Sequence, residues 1–366
     1  MWKTYCVSVY HQQDTDWTKI ENYLRTASSY GCKEVFTSAH MPEEKMHSQL
    51  EFVQRLLHLA HQYGLALTVD FGGASLHYLL NNAEHYTDFN IDYVRMDYGY
   101  DASIMEEMEA RLGITGFVWN ASTIDDEVLD SFLKIAKKHP NYQIRACHNF
   151  YPRKETALDK DFVMMQNKKF HEYQIPVTTC VPNLKNGRPP LYEGLPTIEH
   201  HRSVSFEEAV LDCVEEGLAD DLLIGDLWLD EAQFQFLYRV MKEKKLDLNV
   251  TVTKCITEDE KNIIFGYEHH IRYDSNRLVL RSQSSREMAE YAKEIEPGHQ
   301  TERKRGSITI DNRSYGRYSG ELQMILTDLE ADHRVNVVAY IDEKDMFKLN
   351  YYRDGFKYVL KEKKHE

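Results

Sequence analysis

The sequence predicts an α/β protein: a TIM (β/α)8 barrel followed by a small, mainly β domain. Three observations lead to this class. The chain has 366 residues, more than one hydrophobic core usually organises. Its first two thirds alternate short β-rich runs with longer amphipathic segments, and the last third consists mostly of alternating strands. Because a barrel takes about 250 residues, we place the domains at 1–244 and 245–366.

The barrel prediction depends on eight runs rich in β-branched and aromatic residues. They are "YCVSVY" (5–10), "EVFTS" (34–38), "LALTVD" (65–70), "IDYVRMD" (91–97), "GFVWN" (116–120), "YQIRACHN" (142–149), "IPVTTCV" (175–181) and "DLLIGD" (221–226). Between them lie segments with helical periodicity, such as "DWTKIENYLRTASSYG", in which Ile20, Leu24 and Ala27 share one face. Eight consecutive units indicate a closed barrel rather than an open sheet.

The second domain is predicted from a change of period near Leu246. Six alternating runs follow, separated by turn residues: "DLNVTVTKCI", "RLVLRSQS", "GSITIDN", "GELQMILTDL", "VNVVAYI" and "FKYVLKEKK".

Composition and charge exclude several classes of protein. Apolar residues make up 42% and charged residues 28% of the chain, and no run reaches the ~18 apolar residues of a membrane span. The net charge of −15 argues against nucleic-acid and anionic-membrane partners. The first residues lack the pattern of a signal peptide, so we expect a cytoplasmic protein. Six cysteines without CxxC spacing predict reduced thiols rather than a zinc site.

The ends of the predicted strands carry the chemistry, because TIM-barrel sites form at the carboxyl ends of the strands. Asp70 and Asp97 end strands three and four, and alternation places Arg95 on the same side as Asp97. Since neighbouring strands lie ~4.8 Å apart, the two carboxylates are expected to form an acid/base pair. Asp226, which ends strand eight, is expected to fix a loop or cap a helix.

Two neighbouring carboxyls repel each other as anions, so that one keeps its proton to higher pH. Glycoside hydrolysis uses such a pair, and strand spacing alone does not choose between retention and inversion. Glu193, in a long loop after strand seven, is a reserve carboxylate for the same chemistry.

Several motifs resemble one family over nearly the whole chain. They include "SVYHQQ", "FTSAHMPEE", "VRMDYGYD", "CHNFYPRKETALD", "GRPPLYEGLPTIEHHR" and "RGSITIDNRSYGRYSGELQ". They are similar to the cytoplasmic 6-phospho-N-acetylmuramidases of cell-wall recycling, glycoside hydrolase family 170. The resemblance implies a barrel followed by a cyclophilin-like domain. It also implies cleavage between N-acetylmuramic acid 6-phosphate and N-acetylglucosamine.

With this substrate in view, polar residues at the barrel mouth are candidates for sugar and anion contacts. Neutral groups would bind hydroxyls and an acetamido group, and arginines would bind a phosphate or a lactyl carboxylate. The substrate-binding candidates in the barrel are Asn120, His148, Asn149, Tyr151, Arg153 and Arg188.

A polar cluster in the second domain is expected to complete the active site. The candidate substrate contacts there are Arg305, Asn312, Tyr315 and Arg317. The alternative is structural, with Arg317 and Glu321 paired across a strand. A chain ending near Lys244 is then expected to fold as a barrel and to lose most of its kcat/KM.

Two other functions remain open on the sequence. One is a metal-dependent sugar phosphate isomerase or lyase, with Asp70, Asp97 and His148 among the ligands of Mg²⁺ or Mn²⁺. The other is a non-catalytic carbohydrate-binding protein. The preferred hypothesis is a glycosidase that uses no cofactor and no metal. Its expected partner is its substrate, a small-molecule phosphosugar. The leaving sugar and the oligomeric state, including a homo-oligomer, stay open.

Overall fold

The structure is a computed structural model. It describes residues 4–12, 14–39, 46–86, 89–98, 100–214, 217–288, 295–352 and 356–363. Residues 40–44 of the motif "FTSAHMPEE", Gly99 of "VRMDYGYD" and Lys364 of "FKYVLKEKK" lie outside these ranges. The chain divides into two compact units, Met1–Met241 and Lys242–Glu366.

The first unit is the predicted closed barrel of eight parallel strands. Each strand pairs with the next, and the eighth pairs with the first. The strands are β1 (Tyr5–Ser8), β2 (Glu34–Ser38), β3 (Ala66–Phe71), β4 (Tyr93–Met96), β5 (Gly116–Asn120), β6 (Gln143–Cys147), β7 (Val177–Val181) and β8 (Asp221–Ile224). All eight fall within the runs predicted from the sequence or within one residue of them.

The helices of this unit surround the barrel, and their ends follow from local chemistry. Asp16 caps the first helix by accepting from the Lys19 N–H at 3.1 Å, and Ile20 and Leu24 are buried on its apolar face. The helices are α1 (Trp17–Ser29), α2 (Met46–Gln62), α3 (Gly73–Asn81), α4 (Ile104–Leu112), α5 (Asp126–Lys138), α6 (Lys160–His171), α7 (Phe206–Asp212) and α8 (Glu231–Tyr238). None of the helices described is long and apolar enough to cross a membrane.

Side chains from most of the strands fill the barrel interior. Phe36, Val118, Cys180 and Leu223 belong to one buried apolar cluster, which is a packed core rather than a channel. All six cysteines are free, and only Cys255 is exposed. Polar side chains meet at the carboxyl ends of the strands, and a separate group, in which Glu34 accepts from Thr68 and Arg145, lies inside the barrel.

The second unit is a seven-stranded sheet in the order β10-β15-β9-β14-β12-β13-β11. Its pairs are antiparallel except for β9 with β15. The strands are β9 (Lys245–Val252), β10 (His269–His270), β11 (Val279–Arg281), β12 (Ser307–Asp311), β13 (Leu322–Ile325), β14 (Val335–Ile341) and β15 (Lys357–Glu362); the helices are α9 (Glu258–Phe265) and α10 (Gln283–Glu287). The six predicted strands are present, and the two-residue β10 was not predicted because so short a run has no period.

Candidate active site

The carboxylates at the ends of β3 and β4 meet on one arginine. The pairing of the two strands sets Asp70 opposite Arg95. Nη1 of Arg95 donates to Oδ1 of Asp70 at 2.7 Å and to Oδ1 of Asp97 at 3.0 Å. Because both oxygens lie within hydrogen-bond distance of one nitrogen, the two carboxyl groups are neighbours.

Arg95 also changes the electrostatics expected of this pair. Burial by itself lowers the pKa of the Arg95 guanidinium, but the charges of Asp70 and Asp97 outweigh it and raise that pKa well above its usual value. The predicted acid/base pair depended on repulsion between the two carboxylates. The positive charge of Arg95, which lies between them, offsets that repulsion. The side chain of Asp70 is 4% exposed and that of Asp97 is 21% exposed. Asp97 is therefore the member of the pair that a ligand can reach.

Two amide side chains hold this arrangement from the neighbouring strands. Nδ2 of Asn120 donates to Oδ1 of Asp97 at 3.1 Å and to Oδ1 of Asn149 at 2.9 Å. Oδ1 of Asn149 also accepts from Nη2 of Arg95, and Oδ1 of Asn120 accepts from the Ser122 N–H at 3.0 Å. The buried Asn120 amide is thus fully used in positioning. Nδ2 of Asn149 makes no hydrogen bond to the described residues.

His148 lies below the mouth and is fully buried. Its Nε2 bonds Oδ1 of Asn167 at 2.7 Å, and its Nδ1 bonds Oγ of Ser122 at 3.0 Å. The Asn167 amide donates to the Gly217 carbonyl, so its oxygen must accept from His148, and Nδ1 accepts from Ser122. Burial lowers the pKa of His148 to about 4. Both ring nitrogens of this neutral imidazole are occupied, which leaves neither for a substrate or a metal.

Arg188 stands at the same end of the barrel with an unpaired charge. Its guanidinium lies 4.5 Å from the ring centre of Tyr10 and 5.5 Å from that of Phe150. Within the described residues it makes no ion pair with a carboxylate. Tyr10 is held by donating its hydroxyl proton to the Gly225 carbonyl at 2.8 Å. A cation supported by aromatic rings is well placed to bind an anion.

Asp226 fixes the loop that carries Arg188. Its carboxylate accepts the backbone N–H groups of Asn183, Arg188 and Leu195, each at 2.9 Å. Burial raises the pKa of Asp226, and these N–H groups only partly oppose the shift. Asp226 is fully buried and binds three backbone N–H groups of this loop. It therefore has the loop-fixing role expected from the sequence.

A second set of hydrogen bonds, centred on Arg202, joins the loops after β6 and β7. The sequence does not predict it. Arg202 donates to the carbonyls of Glu193 at 2.7 Å and Tyr151 at 2.8 Å, and to the Glu199 carboxylate at 2.8 Å. Glu199 in turn accepts from the Glu155 N–H at 3.0 Å. We call these contacts the Arg202–Glu199 clamp. The Arg202 side chain is only 6% exposed, so these hydrogen bonds are largely shielded from solvent.

The clamp holds three sequence candidates in the mouth loops. The Glu193 carboxylate is 35% exposed and pairs with Lys154 at 2.5 Å. Arg153 is exposed, Tyr151 is half-buried, and Arg153 makes no ion pair within the described residues. These side chains remain accessible on backbone that is well fixed.

The candidates of the second unit do not form one group. β12 lies between Arg305 and Asn312, and because a strand rises about 3.3 Å per residue these two stand roughly 20 Å apart. Asn312 is fully buried and donates to the His333 carbonyl and to Oδ1 of Asn336, both at 3.0 Å. Asn312 therefore stabilises the fold locally.

Tyr315 and Arg317 follow β12 at the same end as Asn312. The Arg334 guanidinium stacks on Tyr315 at 4.4 Å, and Arg317 donates to the Tyr318 hydroxyl at 2.9 Å. The alternative pairing of Arg317 with Glu321 is wrong: among the described contacts Glu321 accepts from Nε and Nη2 of Arg281, and none joins it to Arg317. The strand register sets Arg281 opposite Gln323, next to that carboxylate.

The residues considered as metal ligands, Asp70, Asp97 and His148, are engaged in contacts with other side chains. Arg95 bridges Asp70 and Asp97, and His148 has both nitrogens engaged. Among the described residues, no group of three His, Cys, Asp or Glu side chains could hold a metal ion. The donor set is therefore that of an arginine–carboxylate network.

Comparisons with known proteins agree with the sequence resemblance. A family model described as "6-phospho-N-acetylmuramidase, N-terminal" matches residues 5–239, and one described as "6-phospho-N-acetylmuramidase, C-terminal" matches residues 246–361. The chain is 28% identical to a conserved Enterococcus faecalis protein of unknown function, with a TM-score of 0.78 over 98% of this chain and 96% of that one. An uncharacterized B. cereus protein, 24% identical with a TM-score of 0.76 over 98% and 99%, shares the fold. No match was found among curated proteins.

Proposed function

Because the chain belongs to the MupG family of 6-phospho-N-acetylmuramidases, and is therefore a glycosidase, we propose that it cleaves a 6-phosphorylated amino-sugar glycoside. The specific substrate we propose joins N-acetylmuramic acid 6-phosphate to N-acetylglucosamine. Its place would be in the recycling of peptidoglycan fragments in the cytoplasm. One observation carries the assignment to this site: a solvent-accessible carboxylate, Asp97, is fixed by Arg95 and Asn120 at the barrel mouth.

In the proposed reaction, Asp97 acts as the anionic carboxylate that meets the positive charge developing at the anomeric carbon. The Arg95 guanidinium at 3.0 Å favours that anion. Asp70 is buried and does not meet the sugar, so its role is to position Arg95. Glu193, which is accessible on the clamped loop, is the candidate general acid in its protonated form, released from Lys154. It gives its proton to the leaving oxygen as the glycosidic bond breaks, and its carboxylate then takes a proton from the water that bonds to the anomeric carbon.

Recognition of the substrate is assigned to groups that, among the described residues, make no ion pair or leave a hydrogen-bond donor unused. Arg188 has an unpaired guanidinium and takes the 6-phosphate or the lactyl carboxylate. Arg153 is a second cation for the other anionic group. Nδ2 of Asn149 offers a donor to a hydroxyl or to the acetamido oxygen.

Chromogenic N-acetylmuramides and N-acetylglucosaminides, each with and without a 6-phosphate, test the proposal. We expect hydrolysis of the 6-phosphorylated muramide and little of the others. The rate should be unchanged by EDTA, since the proposed steps use only side chains. Equal cleavage with and without the phosphate would contradict the phosphosugar assignment, and loss of activity in EDTA would favour the metal-dependent alternative.

A further inference from the structure

The second unit contains a pocket that the proposed catalysis does not use. Its volume is about 390 Å³, within the usual range of small-molecule sites. It is lined by Ile271, Ser275, Asn276, Arg277, Leu280, Arg305, Leu326, Leu349, Asn350 and Tyr352. All of these residues belong to the second unit, so the pocket is complete within it.

Two of the lining residues carry positive charge without a matching carboxylate. Neither Arg277 nor Arg305 forms an ion pair with any of the described residues. Arg305 donates from Nη2 to Oδ1 of Asn350 at 2.9 Å, which orients the guanidinium and leaves its charge uncompensated. Other arginines of this unit do have acidic partners: Arg272 pairs with Asp274, Arg281 with Glu321, Arg313 with Glu296 and Arg334 with Asp332.

Two guanidiniums without a carboxylate partner among the described residues line one pocket in a chain of net charge −15. Of the eight arginines of this unit whose side chains are described, four pair with a carboxylate. A planar guanidinium binds phosphate or carboxylate through two parallel hydrogen bonds. Arg277 and Arg305 can therefore bind an anion from solution.

The rest of the lining indicates that the anion belongs to an organic molecule. Leu280, Leu326 and Leu349 give the pocket apolar walls, which a bare inorganic ion does not require. Tyr352 also lines the pocket and is 7% exposed, so its ring adds to these walls.

We propose that this pocket binds a small organic anion, in which a phosphate monoester or a carboxylate is carried on a body the size of a monosaccharide. Arg277 and Arg305 bind the anionic group, and the leucine walls contact the carbon skeleton. Arg305 then belongs to this pocket, at the opposite end of β12 from Asn312 and Arg317. The site stands on the second unit alone and does not depend on the proposed glycosidase substrate.

Isothermal titration of the full-length Arg188→Gln protein tests this, because that substitution removes one of the two cations proposed for the barrel, and the Arg277→Gln/Arg305→Gln protein assigns the remaining binding. Glucose 6-phosphate and glucuronate are the two anionic probes, and glucose is the neutral one. We expect one of the anions to bind at one site per chain. Adding Arg277→Gln and Arg305→Gln should weaken this binding by at least about tenfold, the equivalent of one lost charge-assisted hydrogen bond.

Arg313→Gln is the matched control, because Arg313 lies in the same unit and is already paired with Glu296. It should leave the affinity unchanged. Comparing glucose 6-phosphate with glucuronate identifies the preferred anion. The proposal is overturned if neither anion binds the Arg188→Gln protein, if glucose binds as tightly as glucose 6-phosphate, or if the Arg277→Gln/Arg305→Gln protein keeps full affinity.

Discussion

At the scale of single residues, Arg95 separates the roles of two carboxylates that looked equivalent in the sequence. Asp97→Asn should lower kcat by about 10³ or more, since it removes an anion used in the transition state. Its effect on stability should be small because the side chain is 21% exposed. Asp70→Asn should lower both kcat and the free energy of unfolding, the latter by about 3 kcal/mol, since it breaks a buried ion pair.

Steady-state kinetics and urea unfolding of both variants measure this difference. Asp126→Asn, at an exposed aspartate of α5 that pairs with Lys169, is the control and should match the wild type in kcat. If Asp97→Asn kept wild-type turnover, the catalytic carboxylate would have to be sought elsewhere, with Glu193 first.

Arg188 gives the second prediction, which concerns binding rather than turnover. Arg188→Gln should raise KM for the 6-phosphorylated substrate at least tenfold, as expected for a lost charge-assisted contact. The substitution should change kcat less. Arg188→Lys keeps the charge without the planar fork and should fall between the two. Equal KM values for Arg188→Gln and wild type would remove Arg188 from the phosphate site.

His148 makes stability depend on pH. Its folded pKa is about 4 against an ordinary 6.5, so between these values the unfolded chain binds a proton that the folded chain does not. The free energy of unfolding should therefore fall as the pH decreases from about 6.5 to about 4. His148→Gln should flatten this part of the curve, whereas His200→Gln, at an exposed histidine, should not.

Urea unfolding at a series of pH values measures this dependence. The buried His269, whose pKa is also lowered to about 4 by burial, should leave a residual slope in the His148→Gln protein. An unchanged slope in that variant would mean that His148 is not the neutral, buried imidazole described above.

At the scale of elements, the Arg202–Glu199 clamp connects the two long loops that follow β6 and β7 and holds their backbone in place. Arg202→Met keeps the length of the side chain and loses its hydrogen bonds to the Tyr151 and Glu193 carbonyls. We expect faster proteolysis in these loops and a lower kcat/KM, with little change in the circular dichroism of the barrel. Arg111→Met, which removes an exposed helical pair with Glu107, is the control. Unchanged loop proteolysis would contradict the role given to the clamp.

The pH response of the clamp is distinct from that of His148. Burial opposes ionisation of Glu199, but Arg202 and backbone N–H groups outweigh it and lower its pKa to about 2. The stability that Glu199 contributes is therefore complete above its ordinary pKa of 4.5 and is lost as the pH falls towards about 2. His148 acts between pH about 6.5 and about 4, and Glu199 acts between pH 4.5 and about 2, so the two ranges overlap only near pH 4.

At the scale of the whole molecule, the chain divides into two compact units. The barrel closes between β1 and β8 without a strand from the second unit. A chain ending at Met241 should therefore fold and unfold cooperatively, which circular dichroism during heating would show. The kcat/KM of this truncated protein tests the expectation that the second domain contributes to catalysis. Failure of the truncated chain to unfold cooperatively would mean that the barrel is not independent.

The fold was predictable because its signals are local. The eight strand runs, the helix faces and the change of period near Leu246 can each be read within a window of a few residues. The predicted β1 and β8 extend two residues too far, to Tyr10 and Asp226, whereas the strands end at Ser8 and Ile224. Beyond the strand ends, the side chains of Tyr10 and Asp226 form hydrogen bonds to the loops at the carboxyl end of the barrel. The alternation of apolar residues does not distinguish such loop-binding residues from strand residues.

By itself the sequence determined the barrel, the family and the presence of carboxylates, amides and arginines at the strand ends. Only the tertiary structure decided which of these groups bind one another. Arg95 meets Asp70 25 positions away and Asn149 54 positions away, His148 turns to Asn167, and Arg202 closes the loops. Such choices depend on strand register and on the direction of each side chain. A local sequence pattern shows at which strand end a polar group lies. It does not show the distant residue with which that group forms a hydrogen bond once it is buried.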